Sequence, residues 1–158
     1  MISMREKIVS AVVANLEAII GNPDFKRGEK LRSVQRYIHR RRGAVHTTNQ
    51  KTEETILVRS TSQTTSYGES GNLLKELEVL CEWVLLGESV TEADLNEAEH
   101  DFDKALWTFS GDLFTSIRGC RSNDLIILPQ DPEDTDGILY TLNFTYSTEI
   151  GDPTGKGL

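Results

Sequence analysis

The chain has 158 residues, a length that favours one domain around a single core. Hydrophobic residues make up 37%, above the disordered range, and no window approaches the roughly 20 apolar residues of a membrane span. The net charge of -8 argues against a free nucleic-acid binder, and Cys81 and Cys120 lack the spacing of a disulfide scaffold or zinc module.

The first stretch, MISMREKIVSAVV, sets Glu6 between Arg5 and Lys7 and has no small-residue cleavage pattern, so it reads as no secretory leader. It predicts a helix over 4–20. Ser3 and Glu6 form a capping-box pattern, and Ile8, Val9, Val12, Val13, Leu16, Ile19 and Ile20 lie on one stripe. Gly21-Asn22-Pro23 stops it. Residues 21–32 form a polar connector, and 33–40 read as a strand closed by Arg40, Arg41, Arg42 and Gly43. From there to Asn72 the chain is rich in threonine and serine, with Ile56, Leu57 and Val58 its one compact apolar group. That composition predicts a strand near 54–62 inside a long, mobile arm spanning about 43–72.

Residues 73–86, LLKELEVLCEWVLL, fit either a helical stripe or a strand with Leu77, Val79, Cys81, Trp83 and Leu85 on one face. Beyond Gly87, Ser89 and Glu92 suggest a second capping box, followed by a helix over about 91–109. Its apolar stripe is Leu95, Ala98, Phe102, Ala105, Leu106 and Phe109. Its outer face is acidic, with Glu92, Asp94, Glu97, Glu99, Asp101 and Asp103. Gly111-Asp112 would start a short turn through Ile117. Residues 123–129 and 138–147 read as strands of an antiparallel hairpin across the turn at Asp131 to Gly137. Ile138, Tyr140, Leu142, Phe144 and Tyr146 share a face of the second strand. The expected fold is α+β, a mostly antiparallel sheet of four to five strands with two main helices on one face, in the order α-β-β-β-α-β-β. One domain would span 1–150, followed by a flexible tail at 151–158.

Catalytic chemistry finds little footing. The tail segment Gly151-Asp-Pro-Thr-Gly155-Lys156-Gly157 is one residue short of a phosphate loop and has glycine where a hydroxyl must reach magnesium. His39, His46 and His100 share no helix face with one another. Around His100, Glu97 and Asp101 have the spacing of metal ligands, but a solvated acidic face is the simpler reading. Cys81 reads as a small core residue. No pair of carboxylates can be assigned as acid and base. The expectation is a protein that is not an enzyme and uses no cofactor or metal.

The charge is divided along the chain. Residues 1–60 hold 12 Lys+Arg against 6 Asp+Glu, +6, and residues 61–158 hold 5 against 19, -14. Arg40, Arg41 and Arg42 form a candidate basic patch for a neighbouring subunit, a tube or DNA. Glu92, Glu97, Glu99, Asp101 and Asp103 form a candidate acidic partner face. Charge alone suits two arrangements. One is an acidic surface with a basic patch, the other unlike faces meeting between copies.

Three stretches resemble the tail terminators of tailed bacteriophages, the minor tail protein U family. They are the N-terminal helix MREKIVSAVVANLEAI, the segment Glu76 to Gly87 leading into EADLNEAEHDFDKALWTF, and the closing strand Gly137 to Tyr146. The chain differs from shorter members in its long 43–72 region and its extended tail. The resemblance assigns 73–86 to a strand. It implies a six-membered ring of α+β subunits that caps the tail tube, stops its polymerisation and faces the head connector, without catalysis or cofactor. Implied partners are further copies of the chain, the tail tube protein and the head-tail connector or neck protein, with DNA passing through the lumen and no membrane. The implied location is the neck of the virion, after assembly in the host cytoplasm. Other neck or tail-completion rings on the same fold, and a non-phage adaptor or binding module, are the alternatives.

Overall fold

The structure is a computed structural model that describes residues 2–36, 54–68, 71–85, 90–107, 117–128 and 136–151. Helix α1, Met4–Glu17, starts where the Ser3 hydroxyl accepts the Glu6 N–H at 3.2 Å. The reciprocal half of the expected box is replaced, because the Glu6 carboxylate takes the Arg36 guanidinium and the Ser10 hydroxyl instead. The helix stops three residues short of the expected Ile20. Ile19 and Ile20 donate to Leu16 and Glu17, three residues back, which tightens the last turn. Gly21 then leaves in the left-handed region, φ +69°.

The connector folds back on itself, with the Gly21 N–H donating to the Gly28 carbonyl at 2.7 Å. A Cβ on Gly28 would stand 2.1 Å from the Asn22 carbonyl oxygen. Gly28→Ala is therefore expected to cost about 1–3 kcal/mol through overpacking. Thermal denaturation should show a loss of about 2–4 °C per kcal/mol for a domain of this size.

Strand β1, Leu31–Arg36, starts two residues earlier than expected, and 37–40 lie outside the described residues. β2 runs Glu54–Tyr67 and β3 Leu73–Leu85. The Ser/Thr-rich run through Ser66 thus belongs to a paired strand, whereas its composition suggested an arm; 43–53 and 69–70 lie outside the described residues. Pairing with β3, Thr55↔Val84 through Tyr67↔Leu73, satisfies this backbone without requiring apolar burial. The ambiguous segment 73–86 is a strand over 73–85.

Helix α2, Glu92–Leu106, begins at a reciprocal capping box between Thr91 and Asp94, in place of the expected Ser89 and Glu92. It ends at Leu106 instead of 109. β4, Ile117–Leu128, starts six residues earlier than expected, and the turn expected after Gly111 lies outside the described residues except at Ile117, which opens this strand. β5 spans Asp136–Thr148 and pairs antiparallel with β4 as expected.

The result is α+β, two helices and a five-stranded mixed sheet in the order β1-β2-β3-β5-β4. The expectation of a mostly antiparallel sheet holds in part. β1 joins β2 in parallel, Leu31↔Glu54 through Arg36↔Val58, and the other neighbours are antiparallel. A parallel pair needs a crossover of a dozen or more residues, and 37–53 are long enough for one. Both helices pack on one face. Ile8, Val12 and Leu16 of α1 and Phe102 and Leu106 of α2 share a core with Val79, Cys81 and Trp83 of β3 and the row Ile138, Tyr140, Leu142, Phe144 and Tyr146 of β5. The Phe102 ring meets Trp83 edge-on and stacks against Tyr140, both at 5.1 Å between centroids.

Candidate functional site

The charged residues gather where the connector, the start of β2 and the first turns of α2 meet. Arg27 is 3% exposed in a stretch that is otherwise polar and turn-rich. Its Nη2 and Nε donate to Glu54 at 2.6 and 3.2 Å, and its Nη1 to Asp94 and Glu97, both at 3.2 Å. Glu54, as buried as Arg27, also accepts the Trp83 indole N–H at 3.1 Å. Burial acts to lower the pKa of Arg27. The Glu54 hydrogen bond and the surrounding carboxylates outweigh it, so the guanidinium is held above its ordinary value. Asp94 is held below its ordinary value, first by the Thr91 backbone N–H and also by the Thr91 hydroxyl and Arg27.

The expected acidic partner face is altered at Asp101. That side chain is fully buried, not outward-facing, and its two oxygens accept the backbone N–H groups of Lys26 and Arg27 at 2.9 and 2.7 Å. Asp101 sits on the border of the apolar stripe, one residue before Phe102. The docked connector offers it two amide donors there, which replace its hydration. Glu97 is committed in part to Arg27. Asp103 accepts the Tyr140 hydroxyl at 2.7 Å, and that hydroxyl accepts the Trp107 indole N–H at 2.7 Å. Glu92 is exposed and Glu99 half-buried. Arg40, Arg41 and Arg42 lie outside the described residues.

His100 Nδ1 lies 3.2 Å from Asp101 Oδ1, so two of the residues considered as metal ligands do meet. Among the described residues, no group of three or more His, Cys, Asp or Glu is placed to hold a metal ion. Among them also, no helix is long and apolar enough to cross a membrane.

Arg27 and Glu54 escaped the sequence reading. They stand 27 residues apart, and Arg27 is 67 and 70 residues from Asp94 and Glu97. No local period links positions so distant, so only the assembled tertiary contact identifies them. The cluster brings one guanidinium to three carboxylates, with a fourth beneath, and stays anionic after pairing. Part of the charge division is consumed inside the molecule where Arg27 meets Asp94 and Glu97, whereas the Arg36–Glu6 pair lies wholly within residues 1–60. Exposed cations remain at Lys26, Lys30 and Arg32, which have no ion-pair partner among the described residues. The arrangement suits holding elements together and presenting charged flanks. No protein family matches the chain, and no characterised protein is detectably similar to it in sequence.

Proposed function

We propose that this chain is a structural subunit of a phage tail terminator, a ring of six that caps the tail tube, stops its growth and faces the head connector. The reading rests on the resemblance of its three stretches to that family. The observation that carries it is the exposed charge left after internal pairing. Lys26, Lys30 and Arg32 stand exposed on the connector and β1, while on α2 Glu92 stands exposed and Glu99 half-buried. A ring of identical subunits uses heterologous contacts, in which one flank must complement a different one. The finer sheet arrangement of that family, its tube and connector contacts, and DNA in the lumen near Arg40, Arg41 and Arg42 belong to the same reading. Its function is obstruction of the tube end, with no turnover of a substrate.

Electron microscopy of the purified protein, with and without tail tubes, tests it. Six-fold rings seated on tube ends are the expected result. A monomer that leaves the ends bare and the tubes growing overturns the reading and favours an adaptor. Rings that form yet bind elsewhere in the neck point to another completion protein. Assembly should also weaken as salt rises, because exposed charges are screened within about 10 Å at 0.1 M. Sedimentation unchanged from low to high salt would remove the charge argument.

A further inference from the structure

Two connections in this sheet join parallel strands, and handedness fixes which face each one crosses. β3 and β4 both run antiparallel to β5, so they are parallel to each other, and the chain passes between them through α2. β1 and β2 are parallel neighbours, joined through residues 37–53. A crossover between parallel strands of one sheet is right-handed in about 98% of cases, because a right-twisted strand packs its connection back onto the sheet only that way. Viewed from the helix side with β3 pointing up, a right-handed path through α2 puts β4 to the right of β3. The order β1-β2-β3-β5-β4 then puts β1 to the left of β2, with both strands pointing down. From there, a connection on the viewer's side would be left-handed. The right-handed route runs behind the sheet, across the face that carries neither α1 nor α2.

The burial of that face agrees. Ile56 and Val58 of β2 and Val79, Cys81 and Trp83 of β3 belong to the helix-side core, so the residues between them point the other way. Among these, Leu57 and Val84, 2% and 0% exposed, form a buried pair separate from that core. Thr55 and Glu82, opposite them across the β2–β3 ladder, are buried too. Toward the other end of the same face, Thr64, Ser66 and Glu76 are exposed. The buried end is the one where β1 lies alongside β2, Ser33↔Thr55 through Arg36↔Val58, and a crossover between these two strands must traverse it. The chemistry of 37–53 suits this face. The segment carries Arg40, Arg41, Arg42 and Lys51 against Glu53, a net +3, and β3 presents Glu76, Glu78 and Glu82 there. Ala44 and Val45, its apolar residues beyond Ile38, stand at its midpoint. We infer that residues 37–53 dock across the helix-free face of the sheet, with Ala44 and Val45 over Leu57 and Val84. The parallel pair is then covered on both faces, as parallel strands generally are.

Methyl NOE spectroscopy of the full chain, labelled at alanine, leucine and valine, tests the docking. Val45 should give cross-peaks to Leu57 and Val84. Cross-peaks from Val45 to Val12, Val79 or another helix-side methyl would overturn the inference, as would a Val45 that reaches neither face. Cross-peaks to Leu57 and Val84 seen only between differently labelled chains would assign the cover to a second copy and overturn it as well. Val45→Asp provides an independent reading. A carboxylate forced against Leu57 and Val84 should lower the melting temperature by about 4–8 °C. A shift under about 2 °C, the range of exposed substitutions, would also overturn it. None of these outcomes depends on ring formation.

Discussion

Arg27→Met should lower stability by about 3–5 kcal/mol, the loss typical of breaking a buried ion pair by removing one partner. Arg27 and Glu54 are each about 4% exposed in their side chains and meet at 2.6 Å. Removing the guanidinium leaves the Glu54 carboxylate in a dry site beside the Trp83 indole N–H, which donates to it at 3.1 Å. That carboxylate must then remain charged without a counter-ion or take up a proton, and either is costly. The contacts to Asp94 and Glu97 contribute less, since those carboxylates are 27% and 36% exposed and solvent screens them. At about 2–4 °C per kcal/mol, the melting temperature should drop by roughly 6–20 °C. The double variant Arg27→Met, Glu54→Gln should recover most of the loss, because it removes both charges. A single variant that melts within a degree of the parent would show that the pair only offsets its own desolvation.

Trp83→Ala should cost about 3–5 kcal/mol, the usual range for a large aromatic deleted from a packed interior. Trp83 has no exposed surface, meets Phe102 edge-on, and lies between Ile56 and Ile138 across the sheet. The deletion removes the buried area and the ring contact, and also takes a donor from Glu54. Trp83→Phe separates these effects. It keeps much of the apolar contact and loses the indole N–H, so its cost should be nearer about 1–3 kcal/mol, that of a hydrogen bond to a buried charge. Urea titration would read both, with the midpoint falling and the slope unchanged if unfolding stays two-state. Equal losses in the two variants would assign the whole effect to the hydrogen bond.

Much of the architecture was legible where one residue's environment repeats at a fixed interval. The stripe Ile8, Val9, Val12, Leu16 specified the buried face of α1, and Ala98, Phe102, Ala105, Leu106 that of α2. The alternation from Ile138 to Tyr146 specified the core face of β5. Boundaries were less legible, since a cap depends on one or two side chains. Thr91 with Asp94 and Ser89 with Glu92 present equivalent local patterns. The Ser/Thr-rich half of β2 was misread for a different reason. Its order comes from the β3 ladder alongside it, and composition records only the absence of apolar burial.

Local sequence therefore determined the two helices and β5 and which side of each turns inward, because those choices depend on neighbours three, four or two residues away; it left 73–86 open between helix and strand. It also determined the overall division of charge. Tertiary structure alone decided that β1 lies parallel to β2, that Asp101 turns inward, and that Arg27 is buried among carboxylates from two other elements. These outcomes depend on groups brought together across 22 to 75 positions of chain. At such separations the energy of a buried charge is set by which partners arrive and how much water they displace, and neither is encoded in the residues on either side of it.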